Sequence, residues 1–155
     1  MTDSEPSSLT LRPEVRAFMH GARRALGPLP DPADVFAFGD SPRMADELLA
    51  LVLSGVKTAT CGWPAERTCD EGDLSVVLSG AGLPAALIRT LELRERPFLE
   101  VDEAFARDEG EGDRTLEWWR GAHRRFFGRQ TDAPRPFTDE ETVLCERFEV
   151  IYCSP

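Results

Sequence analysis

The chain has 155 residues, enough for one domain that buries roughly two thirds of the surface its unfolded form exposes. Hydrophobic residues make up 41% and charged residues 30%, and no apolar run reaches the length of a membrane span, so a soluble, cytoplasmic protein with no membrane partner is expected. A formal net charge of −10 repels nucleic acid at long range and excludes wholesale non-specific binding to it, while leaving room for a local basic surface.

The first residues, Met1 to Pro6, are acidic and polar, unlike a signal peptide, and residues 1–10 read as disordered. A helix is expected from Leu11 to Leu26, with Thr10 as cap, Pro13 in the first turn, Val15, Phe18, Met19, Ala22 and Leu26 on one side, and Gly27 as stop. Pro28, Pro30 and Pro32 make a stiff connector, which divides the chain into an N-terminal arm over residues 1–30 and a main domain over residues 31–155.

Val35 to Gly39 is a short apolar piece before a strong helix signal: Ser41 as cap, Pro42 at the first helical position, then Met44, Leu48, Leu51 and Val52 until Gly55. That helix delivers the chain into Lys57, the one lysine among eighteen basic residues. A lysine, unlike an arginine, can give up its proton when desolvated and so can act as a base. If the segment Lys57 to Cys61 is extended, Lys57 and Thr60 point to opposite faces; a tight bend would bring them together.

Strands are expected at Leu74 to Leu78, at Ala85 to Leu93 antiparallel to it through the turn Ser79 to Gly82, and at Cys145 to Tyr152 with Phe148, Val150 and Tyr152 on one face. Between the last two, Val101 to Asp108 reads as a short helix. Thr115 to Phe127 reads as a longer one, with Leu116, Trp119, His123 and Phe126 on one side and Trp118, Ala122 and Arg125 round the other way. Few strands, several helices and no βαβ alternation predict an α+β domain with a small mixed or barrel-like sheet.

No cofactor and no metal site is expected. The cysteines at 61, 69, 145 and 153 lack the short spacing of zinc ligands, and Cys145 and Cys153 would lie roughly 27 Å apart on one strand. Gly55-Val56-Lys57-Thr58 lacks the glycines of a phosphate loop, and Gly110-Glu111-Gly112 lacks the third glycine of a dinucleotide fingerprint. Glu109, within the acidic run Glu100 to Asp113, sits at a helix-to-loop junction where a carboxylate can be aimed inward. The one strongly basic region runs from Arg114 to Arg135.

Phe38-Gly39-Asp40-Ser41, Gly55-Val56-Lys57-Thr58-Ala59-Thr60, Pro97 to Asp102, Ala106 to Asp113, Trp119-Arg120 with His123, and Cys145 to Val150, in this order, resemble the ASCH domain from about residue 35 to 152. The resemblance implies a PUA-like fold, a small β-barrel flanked by helices, that binds RNA or a modified nucleoside. Short bacterial members are amidohydrolases acting on N4-acetylcytidine, and others are ribonucleases or RNA binders. Carried onto this chain, the resemblance makes Thr60 the nucleophile, Lys57 its base and Glu109 the group orienting the lysine. Thr58, Trp63, Trp118, Arg120, His123 and Arg124 are then expected to contact the substrate, with stacking on the tryptophans. Two features depart from the short amidohydrolases: Gly62 stands where they carry Arg, and the insert holding Glu111-Gly112-Asp113 and Trp119 to His123 is longer. The expected function is therefore hydrolysis at a Lys/Thr/Glu cleft, of the ribonuclease or N4-acylcytidine type, with a non-catalytic RNA-binding regulatory module as the alternative.

Overall fold

A computed structural model describes residues 12–131 and 136–155. The expected disorder of residues 1–10, the Thr10 cap, and Arg135 of the basic region lie outside the described residues. Helix α1 (Pro13–Leu26) opens with proline at its first position, where no intrahelical N–H is missed, and stops at Gly27, whose φ of 90° suits a residue without Cβ. Its Val15, Phe18, Met19 and Ala22, spaced for one helix face, are buried against Val35, Leu74, Val76, Leu78 and Leu87 of the sheet.

The sheet has five strands in the order β1-β3-β4-β5-β2: β1 (Asp34–Phe36), β2 (Ala59–Gly62), β3 (Leu74–Leu78), β4 (Pro84–Pro97) and β5 (Thr142–Cys153). Strand β1 pairs parallel with β3, and the other neighbours are antiparallel. The expected barrel is corrected here: the sheet does not close. Its edges are β1 and β2, three and four residues long, and these short strands face each other across a cavity of about 270 Å³ bordered by Asp34 and Phe36 on one side and Thr60, Cys61 and Gly62 on the other. The alternation expected along β5 also fails at one point. The register shifts so that Leu87 faces Tyr152 while Ile88 faces Val150, a bulge that leaves Val150 exposed and packs Ile151 and Tyr152 against the α1 core.

Helix α2 (Pro42–Leu53) is capped by Ser41, whose hydroxyl accepts from Met44 N at 3.1 Å, and packs Leu49 and Val52 on Val77, Ala86, Ile88 and Phe148. Helix α3 (Glu103–Glu109) is capped by Asp102, and α4 (Leu116–Gln130) by Thr115. These two close a separate core over the β2 end of the sheet, around Phe98, Phe105, Trp119, Phe127 and Val143.

Candidate functional site

The chain bends just before Lys57, and the cause is local. Gly55 takes φ +82°, and the N–H groups of both Val56 and Lys57 donate to Leu51 O at 3.0 Å, folding the chain back over the end of α2. Thr58 then ties into α3: its N–H donates to Asp108 O at 2.7 Å while its own carbonyl accepts from Phe148 N. Two of the last carbonyls of α3, which lack intrahelical partners, are thus capped by the Lys57–Thr58 segment, Asp108 O by the Thr58 N–H and Glu109 O by the lysine ammonium.

Lys57 Nζ donates to Ala59 O at 2.8 Å, Glu109 O at 3.4 Å, Glu109 Oε1 at 3.3 Å and Glu111 Oε2 at 3.2 Å, and lies 5.4 Å from the Phe38 ring centre. Every polar partner accepts, so the lysine serves here as a donor. The Thr60 hydroxyl is not among those partners, although Thr60 borders the same cavity.

Glu109, the last residue of α3, is fully sequestered. Beyond Lys57, its Oε2 accepts from the Trp119 indole N–H and from His123 Nε2 at 3.2 Å. Burial pushes this carboxyl up, but the charges of His123 and Lys57 and the hydrogen bonds from His123 and Trp119 outweigh it and hold the group far below the usual carboxylate range. His123 answers in kind. Burial favours the neutral ring, yet the Glu109 carboxylate raises its pKa, and Nδ1 faces Trp119 O at 2.9 Å while Nε2 faces the carboxylate. Both nitrogens meet acceptors, and both can donate only as imidazolium. The ring is stacked on Trp119 at 4.2 Å.

Glu111 belongs to the same acidic run but is not among the residues that the sequence singles out for the site. Gly110 (φ +74°) and Gly112 (φ +58°) flank it in the left-handed region and turn its side chain back over Lys57, where 20% of it is exposed. Burial, the Glu109 charge and a hydrogen bond between the two carboxyls push it up, with Lys57 pulling the other way. Two neighbouring carboxyls are therefore driven apart, Glu109 below the usual carboxylate range and Glu111 above it, a divergence of the kind that separates acid and base roles in hydrolytic sites. The two glycines around a single Glu were the available signal. Ligand atoms of Glu109, Glu111 and His123 lie within 4.8 Å of one another and could hold a cation, but the Lys57 ammonium already stands against both carboxylates and competes with any ion there.

These groups form the floor and walls of a cavity of about 320 Å³, a size suited to a small ligand, which Lys57, Thr60, Glu109, Glu111, Trp118 and His123 share. The remaining expected contacts lie elsewhere. Trp63 packs edge-on to Phe127 and donates to Gln130, bordering the cavity between the sheet edges. Arg120 donates to Leu99 O, and Arg124 holds Asp139 through two bonds of 2.9 Å above the Phe98 ring. The basic residues of α4 are thus divided among faces, and those on the cavity are Arg125 and Arg129. Among the cysteines, Cys61 stands opposite Cys145 across β2 and β5.

A model of the ASCH domain matches residues 34–152. The crystal structure of an ASCH domain from Lactobacillus crispatus JV V101 superposes with a TM-score of 0.83 at 26% identity, covering 91% of this chain and 96% of that one. Protein EF3133 from Enterococcus faecalis V583 gives 0.77 at 33% identity, covering 89% and 92%. The hypothetical protein PH0355 shares the fold alone, at a TM-score of 0.54 and 15% identity, covering 76% and 98%. No curated protein matches the sequence. With the match spanning β1 to β5 and every residue of the cavity floor, the chain belongs to the ASCH domain family.

Proposed function

We propose that the 320 Å³ cleft binds the base of an RNA nucleotide or of a modified nucleoside, and that it is hydrolytic, with Thr60, Lys57 and Glu109 as its working residues. The observation that carries this reading is the fully buried Lys57–Glu109 pair, extended by His123 and Glu111, on the floor of a cavity that Thr60 also lines. A buried charged network of this kind lowers stability relative to apolar packing, and a cleft is where its retention serves chemistry. Membership in a family usually linked to RNA binding supports the ligand class.

For an acylated base, Thr60 Oγ would attack the acyl carbon and lose its proton, while the leaving amine gains one; water then releases the acid and restores the hydroxyl. Glu111, which lines the same cavity as Thr60 and whose pKa burial raises, would serve as donor and acceptor for that exchange. Lys57, donating to carboxylates and carbonyls, can stabilise charge developing on the acyl oxygen if a ligand displaces one of its partners.

The test is turnover of N4-acetylcytidine and of a labelled single-stranded RNA by the wild type and by Lys57→Ala, Glu109→Gln and Thr60→Ala. Thr60→Ala removes no partner of the buried ion pair, so its unfolding midpoint, measured beside the wild type, separates loss of product from a folding defect. A non-catalytic binding module is the second reading, favoured by one observation: the Thr60 hydroxyl is not a partner of Lys57. Intact substrates with measurable binding would establish it.

A further inference from the structure

The cleft is graded in depth. Its floor, Lys57 and Glu109, is 1% exposed, whereas Arg125 and Arg129 at its rim are open to solvent. Trp118, Ala122, Arg125 and Arg129 form one stripe of α4 along the cavity wall, and the seven steps from Trp118 to Arg125 span about 10 Å at 1.5 Å per residue. The Trp118 indole lies directly on the backbone of Gly112, where any Cβ would overlap its ring, so the platform is held in place from beneath. Arg124 is bound to Asp139 and Arg120 to a carbonyl, and Arg129 reaches Asp40 at 3.5 Å; Arg125 makes no hydrogen bond or ion pair among the described residues. A guanidinium beside a cavity with no acceptor of its own presents a donor fork that matches phosphate.

The floor differs. Two carboxyls flank the ammonium there and His123 stands against one of them, so the floor presents acceptors and donors together; the edge of a base, with donors and acceptors side by side, can use both, whereas a phosphodiester can use only the donors.

Resting on the reading of the cleft as a nucleobase site, we infer that the ligand enters base first, stacked on Trp118, with its phosphate held at the rim by Arg125 and Arg129. The substrate class is a base-modified nucleotide, free or in a strand. A free nucleoside would leave the rim unused, and a scissile phosphodiester would not reach the floor.

Calorimetric titration at low salt with the four ribonucleosides and N4-acetylcytidine, each beside its 5′-monophosphate, tests this. For whichever base binds, the monophosphate is expected to bind about tenfold tighter or more, and the double variant Arg125→Gln/Arg129→Gln to weaken the monophosphate about tenfold more than the nucleoside. Equal affinities in the wild type, or a phosphate gain that the double variant keeps, overturns the inference while the base site stands. Binding of none of them overturns the base site itself. RNA cut at its phosphodiester, with the product absent in Thr60→Ala, overturns the base-first orientation.

Discussion

Lys57 Nζ and the Glu109 carboxylate meet at 3.3 Å with 1% of either side chain exposed. Removing one partner strands a buried charge, so Glu109→Gln and Lys57→Met are each expected to destabilise by about 3–5 kcal/mol, and the double replacement by less than their sum. Urea unfolding of the three variants measures it, and additive losses would show that the pair is not coupled.

Stability should depend on pH with two signs. Glu109 is depressed in the folded state, so its contribution is present above its ordinary value of 4.5 and lost as pH falls toward its lowered pKa. His123 is raised, so its contribution is complete below 6.5 and lost as pH rises through its folded pKa; Glu111, raised above 4.5, adds in the same direction. The unfolding midpoint is expected to fall from about pH 6.5 upward, and His123→Gln to flatten that slope. An unchanged slope in the variant would assign the loss to other groups.

Gly112→Ala should dislodge the Trp118 ring, because the new Cβ falls on the indole and φ of +58° disfavours any side chain. Tryptophan fluorescence is expected to shift, and ligand affinity to fall as in Trp118→Ala.

Trp118→Ala itself should weaken nucleotide binding by about 1–3 kcal/mol if the base stacks there. Trp63→Ala, which opens the packing around Phe127 and Phe137, should instead lower stability first. Comparing affinity with unfolding midpoint for the two variants separates the roles.

Much of this site was legible in the chain. Ser41-Pro42 and Gly55 delimit α2 through capping chemistry that acts over three or four residues, and Glu109 was placed at its helix end. What lay beyond reach depended on distant packing. The depth of Lys57 follows from α3 closing over β2, and the choice of Arg125 and Arg129 over Arg120 and Arg124 from which stripe of α4 the Phe98–Trp119 core pulls inward. The open sheet was equally hidden, since closure depends on strand lengths at both edges, and a parallel pairing of Asp34–Phe36 with Ser75–Val77 leaves no local mark.

Because Lys57 is both the one lysine of the sequence and almost wholly shielded, the described surface offers no side-chain amine to an acylating reagent. Slow modification of Lys57, read by mass, therefore becomes a clock for the opening of the cleft floor. A ligand seated there should stop that clock, which makes chemical labelling a binding assay that needs no knowledge of the ligand's reaction.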